Sequence, residues 1–251
     1  MGSEMCIRDR GTSVNGHEIT AHHYGVGDKE ILFVGGIHGG YAWNTNLVAY
    51  EMMDYLNNNQ SIIPDNVKVT VIPTLNPDGL RAVTGTTGRF SREVVPTDSE
   101  ATVVGRFNGN EVDLNRNFDC AWQAEGKWQE RIVSGGESPF SEPEAKALRD
   151  YVLTNNPVAA VIWYSSAGGV FMSSCDSGIL PVTKQLAEAY GQAADYPVYQ
   201  DFDFYEVTGD LANWLAKERV PTISILLSSA GAVEWNKNRL GVEALFDYYR
   251  Q

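Results

Sequence analysis

The order of segments predicts a single α/β domain, with a mixed, mostly parallel twisted sheet and helices on both of its faces. Two observations carry this. Apolar β-forming segments almost free of charge alternate with amphipathic helical patterns nearly to the C-terminus, and uncharged strands belong to sheets covered on both faces. The 251 residues suit one large domain with a sizeable core, and no repeat or low-complexity linker divides them.

ITAHHY (19–24), EILFVGGI (30–37) and VKVTVIP (67–73) have the short apolar character of strands, with TNLVAYEMMDYLNN (45–58) a helix between the last two. A stretch from 75 to 140, rich in Gly, Thr, Asn and Arg, has little periodicity, and loops of that length in compact domains are usually functional. SEPEAKALRDYVLTN (141–155) begins with serine as an N-cap, an early proline and first-turn glutamates, all favourable at a helix start. VAAVIWYSS (158–166) is a strand, and ILPVTKQLAEAYGQAA (179–194) and TGDLANWLAKER (208–219) are helices, Thr208 being placed to cap the second. VPTISILLSS (220–229) is a buried strand and VEWNKNRLGVEALFDYYR (233–250) a terminal helix.

The first ten residues, MGSEMCIRDR, lack the apolar stretch of a secretory signal and match none of the later patterns. They are read as tag-like, leaving 11–251 as the domain. The net charge of −13 argues against a nucleic-acid partner, which needs a basic surface. No apolar run approaches the 18 or so residues of a membrane span. Cys6, Cys120 and Cys175 are odd in number without CxxC spacing, so neither a disulfide framework nor a cysteine metal site is expected.

In open α/β sheets, ligands sit beyond the carboxyl ends of the strands. His38 in GGIHGGYAWNT, Asn76 to Gly79, Ser165 and Leu227 to Ser229 all fall at or just after strand ends, so they could face one cleft. TLNPDG (74–79) carries a Pro-Asp-Gly turn signal. RFNGNEVDLNRNFD (106–119) packs Arg106, Asn108, Asn115 and Arg116 into a loop poor in apolar residues, and two arginines with two amides can grip a carboxylate. Read alone, such side chains more often bond backbone carbonyls, and an isolated tyrosine more often packs than reacts.

These pieces resemble the zinc carboxypeptidase family, the carboxypeptidase A type of metallopeptidase. GGIHG, NPDG, VDLNRNF, PFSEPEAKAL, the YSS segment, the tyrosine of YEVTGDLANW and VPTISILL occur in the family's order over roughly residues 30 to 250. The resemblance implies the family's fold and hydrolysis of C-terminal residues or peptide-like amides, with a bound zinc ion. It implies that Asn115 and Arg116 bind the substrate's terminal carboxylate, that Arg106 polarises the scissile carbonyl, and that Tyr205 closes over bound substrate. Asn108 and Ser166 are grouped with the substrate-binding set; Ser166 is also what the family pattern shows after its histidine.

The chain departs from the pattern where the metal and base belong. The family's zinc is held by His, Glu and His, with a separate glutamate as base. His38 matches the first ligand, but the residues three and four positions on are Tyr41 and Ala42, and Ser165 stands where the second histidine belongs. The base position holds Leu226, or Leu227 if the register shifts by one, and an alkyl group accepts no proton. The four histidines are His17, His22, His23 and His38, so none follows to complete a site. His22 and His23 are adjacent on a strand and point to opposite faces, and Glu51 lies more than three helical turns beyond His38.

The expected protein is therefore a carboxypeptidase-like domain with zinc absent or weak, His38 a remnant, and a cleft for a peptide or small molecule with a free carboxylate. Either a natural pseudoenzyme or a disabled form of an active enzyme fits that pattern. The alternatives are an active metallocarboxypeptidase with a non-standard metal site, a structural or partner-binding domain, and a serine hydrolase using Ser165 or Ser166 with His38 as base.

Overall fold

The computed structural model describes residues 6–250, with side chains from residue 11 onward. Its first half contains β1 (Cys6–Thr12), β2 (Glu18–Gly25), β3 (Lys29–Val34), α1 (Trp43–Asn58), β4 (Val67–Ile72), α2 (Pro77–Thr84) and the hairpin β5 (Glu125–Trp128) and β6 (Arg131–Ser134). The second contains α3 (Pro143–Asn155), β7 (Ala159–Ser165), β8 (Gly169–Met172), the short pair β9 (Ser174–Cys175) and β10 (Gly178–Ile179), α4 (Pro181–Ala194), β11 (Val198–Tyr199), α5 (Leu211–Lys217), β12 (Thr222–Leu227) and α6 (Trp235–Arg250).

Eight strands form one sheet in the order β1-β2-β4-β3-β7-β12-β8-β11. Its centre, β4-β3-β7-β12, is parallel throughout, whereas β1, β2 and β8 join antiparallel. The sheet is thus mixed and mostly parallel at its core, as the charge-free strands predict. Side chains alternate between two apolar layers. Ile31, Phe33, Trp163, Ile223 and Leu227 face a layer with residues of α1, α4 and α6, while Leu32, Val34, Ile162 and Leu226 face one with residues of α3 and α5.

Several expectations change. The strand β1 takes in Cys6–Arg10, which the sequence reading set outside the domain; Met1 to Met5 lie outside the described residues. Its pairing with β2 extends the sheet edge through backbone hydrogen bonds, which leave little mark in a side-chain pattern. The Pro-Asp-Gly of NPDG is not an isolated turn but the first turn of α2, whose N-cap Asn76 accepts the Gly79 N–H at 2.8 Å. Ser141 does not cap α3: Glu142 is the N-cap residue, without a side-chain cap bond, and Ser141 Oγ donates to Glu142 Oε1 at 2.8 Å. Thr208 does not cap the next helix either, because α5 begins at Leu211 and Asp210 accepts the Asn213 N–H at 3.0 Å.

The cysteine expectation is also corrected. Cys120 and Cys175 form a disulfide with Cα atoms 6.2 Å apart, closing a loop of 55 residues. Parity and spacing could not reveal a pair brought together only by the packing of α5 against β9. The crosslink ties the chain just after Arg116 to β9, the strand that begins at Ser174. Loop-closure entropy for that length is worth about 4 kcal/mol. Reduction is therefore expected to lower unfolding stability by roughly 2–4 kcal/mol in denaturant titration. Alkylation of the unfolded, unreduced chain should label one cysteine, and labelling of all three would contradict the bond.

Candidate functional site

A cleft of about 580 Å³ opens beyond the carboxyl ends of β7 and β12. Its floor and walls include His38, Arg106, Asn115, Arg116, Tyr164, Ser165, Ser166, Tyr205 and Leu226, together with Asp210. The topology gathers segments far apart in sequence: His38 from the turn after β3, the serines from the end of β7, Leu226 from β12 and the arginines from the long middle stretch. Asn76 to Gly79 and Leu227 to Ser229 do not line it.

Asp113, fully buried, is the hub of this arrangement. Its Oδ2 accepts Arg106 Nε at 2.9 Å and Nη2 at 2.7 Å, and its Oδ1 accepts the Asn115 N–H at 3.1 Å. The last bond caps the 3₁₀ turn Leu114–Arg116, which presents Asn115 and Arg116 to the cleft. Burial alone would push the Asp113 carboxyl up, but Arg106 outweighs it, with His38 adding to the pull, and holds it well below the ordinary carboxylate range. The sequence reading passed over Asp113, although its place inside VDLNRNF, two residues before the candidate clamp, was a signal.

Arg106 is sandwiched as well as paired. Its guanidinium lies 4.4 Å from the centre of the Trp128 ring and 5.4 Å from that of Tyr41. Arg116 is held by backbone: Nε and Nη2 donate to the Lys127 carbonyl at 3.2 and 2.6 Å, and Nη1 to the Asn115 carbonyl at 2.7 Å. A guanidinium has five N–H groups. Three bonds therefore leave two, on a group whose orientation is already set.

Two glycines make that placement possible. A Cβ at Gly126 would come within 2.8 Å of Arg116 Cδ, and at Gly209 (φ +64°) within 2.4 Å of the Arg116 carbonyl. Asn115 turns its amide oxygen away from the cleft to Tyr164 Oη at 3.0 Å and the Leu211 N–H at 3.1 Å, which leaves its NH₂ as the group for a ligand. Tyr205 is half-buried at the mouth, its ring 5.0 Å from that of Phe202.

Asn108 does not belong to the cleft, which corrects its grouping with the substrate-binding residues. Its NH₂ donates to Glu142 Oε2 at 2.7 Å and Glu144 Oε2 at 3.1 Å, and its oxygen accepts the Asn110 and Val112 N–H groups. Its NH₂ pins the loop to the start of α3, and its oxygen closes a turn within the loop.

The metal corner has a different character. His38 is buried, and neither ring nitrogen has a hydrogen-bond partner among the described residues; Nε2 lies 3.4 Å from Asp113 Oδ1 without hydrogen-bond geometry. Burial, reinforced by Arg106, pushes its imidazole down to about 4. Ser165 Oγ accepts from Asn44 Nδ2 at 3.2 Å and donates to the Ser229 carbonyl at 3.3 Å, so no histidine activates it.

Leu226 lines the cleft, whereas Leu227 packs in the opposite apolar layer. Ala42 donates its N–H to the His38 carbonyl at 3.3 Å, one turn on, whereas the Tyr41 ring packs on Trp128 with 4.9 Å between centres. His22 and His23 lie on β2, bonded to Thr20 and Thr70, outside the cleft. Among the described residues no three of His, Cys, Asp and Glu come close enough to share a metal ion. His38 with Asp113, whose carboxylate is committed to Arg106 and a backbone N–H, does not fit a zinc ion.

Comparison with known proteins places the fold and the motifs together. The profile described as zinc carboxypeptidase (Peptidase_M14) matches residues 6–249. Carboxypeptidase B of Astacus astacus is 34% identical over 59% of this chain and 49% of its own length. Gamma-D-glutamyl-L-diamino acid endopeptidase 1 of Lysinibacillus sphaericus is 24% identical over 87% of this chain and 59% of its own. The chain thus spans about half the length of the curated relatives it matches.

Among solved structures, murein-tripeptide amidase MpaA from Escherichia coli O157 aligns with a TM-score of 0.66 at 18% identity, covering 96% of this chain and 90% of that one. Carboxypeptidase A from Helicoverpa armigera aligns with a TM-score of 0.72 at 17% identity, covering 98% and 67%. Those identities show a shared fold. The profile spans nearly the whole chain, and the protein belongs to the zinc carboxypeptidase family.

Proposed function

We propose that this chain is a carboxypeptidase-fold protein that binds peptides or peptide-like molecules through a free carboxylate, with its hydrolytic chemistry absent or strongly impaired. One observation carries the reading: Asn115, Arg116, Ser165 and Leu226 line the same cleft, the last two being the residues that the family resemblance sets at the metal and base positions.

The binding half rests on preorganisation. Carbonyl bonds hold Arg116 in place before a ligand arrives, so little side-chain entropy is lost when its two remaining N–H groups meet a carboxylate. Asn115 adds a donor beside them. Arg106, fixed by Asp113, keeps N–H groups beyond the two that the carboxylate accepts, and Tyr205 stands at the mouth.

The catalytic half lacks its parts. Peptide hydrolysis needs an activated nucleophile and a group to move its proton. At neutral pH His38 is uncharged, but it holds no nucleophile, Ser165 has no base, and Leu226 cannot take a proton. No membrane attachment is suggested: among the described residues no helix is long and apolar enough to cross a bilayer.

Two experiments test these halves separately. In titration calorimetry a peptide with a free C-terminus should bind, its C-terminal amide should bind at least tenfold more weakly, and Arg116→Ala should lose a similar amount. Equal affinity of acid and amide for the unaltered protein would support a purely structural or partner-binding role instead. The combined change Ala42→Glu, Ser165→His and Leu226→Glu should create a site that retains about one zinc per chain, because three ligands suffice for a catalytic zinc. A folded triple variant that holds no zinc would overturn the placement of those positions.

A further inference from the structure

The Cys120–Cys175 bond joins two segments that both line the cleft. On one side the chain runs from Arg116, in the cleft, to Cys120; on the other, Ser173 and Ser174 line the cleft and lead into Cys175. Gly209 lies between Arg116 and Cys120. It accepts the Phe118 N–H at 2.9 Å, donates its own N–H to the Cys120 carbonyl at 2.8 Å, and sits so close to the Arg116 carbonyl that a Cβ would come within 2.4 Å. A shift of Cys120 thus reaches the Arg116 backbone through Gly209.

Little else stands in for the crosslink. Among the described residues β9 lies outside the main sheet and pairs only with β10. Its other ties are the bond of Ser173 Oγ to the Thr222 carbonyl at 2.7 Å and that of the Ser174 N–H to Asn213 Oδ1 at 2.9 Å. The ion pair beside Cys120, Lys217 with Asp119, is largely open to solvent, where such pairs contribute little.

The bond is also open to exchange. Cys120 is buried, but Cys175 is partly exposed and the turn after it, Asp176 and Ser177, is exposed. A thiolate that attacks the Cys175 sulfur breaks the S–S bond and releases Cys120 as a thiolate, which takes up a proton. The second thiol of a dithiol then attacks the reductant's own sulfur in the mixed disulfide. Cys175 leaves as a thiol, the reductant becomes a cyclic disulfide, and two electrons have passed to the protein.

We propose that the Cys120–Cys175 bond is a redox switch on the carboxylate clamp: oxidised, it holds the Arg116 segment ready for a ligand, and its reduction by a dithiol frees that segment and weakens binding. This rests on the carboxylate-binding reading above and adds its regulation.

The test follows one peptide, as free acid and as C-terminal amide, by titration calorimetry. It is measured on the oxidised protein, on the protein in excess dithiothreitol and after reoxidation, while far-UV circular dichroism reports whether the reduced chain stays folded. If the clamp-ready form falls to about a tenth of the population, apparent affinity falls by about the same factor. The reduced, folded protein should therefore bind the acid about tenfold more weakly and the amide within about twofold of before, and reoxidation should restore the difference. Cys120→Ser combined with Cys175→Ser should match the reduced protein and not respond to the dithiol.

Acid binding unchanged by reduction overturns the switch and leaves the carboxylate reading standing. Acid and amide weakened alike, or a reduced chain that unfolds, also overturns it, because either reports general loosening. Equal binding of acid and amide by the oxidised protein overturns both readings. A double serine variant with the oxidised protein's affinity overturns the role of this bond. The comparison of oxidised with reduced protein does not depend on that variant folding.

Discussion

The cleft depends on one buried carboxylate. Asp113 neutralises Arg106, caps the turn that presents Asn115 and Arg116, and lies against His38, all at zero exposure. Removing one partner of such a pair leaves an uncompensated buried charge, which costs about 3–5 kcal/mol. The interaction holds Arg106, Asn115 and Arg116 in place. That part of the site is organised by charge and backbone hydrogen bonds inside the middle loop, and not by the corner where zinc ligands belong.

That division separates what the chain retains from what it lacks. Arg106, Asn115 and Arg116 each have partners that fix them, and the close approaches at Gly126 and Gly209 serve the same end. On the other side, His38 has two orphaned ring nitrogens in a buried pocket, and Ser165 is tied to Asn44 and the Ser229 carbonyl. Orphaned buried nitrogens are rare in folded proteins.

The parallel centre of the sheet was legible because β3, β4, β7 and β12 are apolar on both faces, so pattern and burial agree. The β5-β6 hairpin, β1 and β8 to β11 were not, since short edge elements take their order from tertiary contacts. The motif loop pointed to the cleft but not to which of its asparagines enters it. Asn108 and Asn115 are alike in sequence, yet one pins the loop to α3 and the other lines the cleft. The disulfide between Cys120 and Cys175, the capping by Asp210 in place of Thr208 and the hub role of Asp113 all arise from groups distant in sequence, where spacing carries no signal. Strand alternation sets Leu226 at the cleft and Leu227 in the opposite layer.

The central claim is that this member of a zinc family has kept the grip and lost the metal corner. Its most direct test is the zinc content of the purified chain by mass spectrometry, after incubation with excess zinc and desalting. Essentially no zinc is the result that a lone His38 beside a committed Asp113 predicts. Close to one zinc per chain would contradict it and would make the non-standard metallocarboxypeptidase the correct reading of this site.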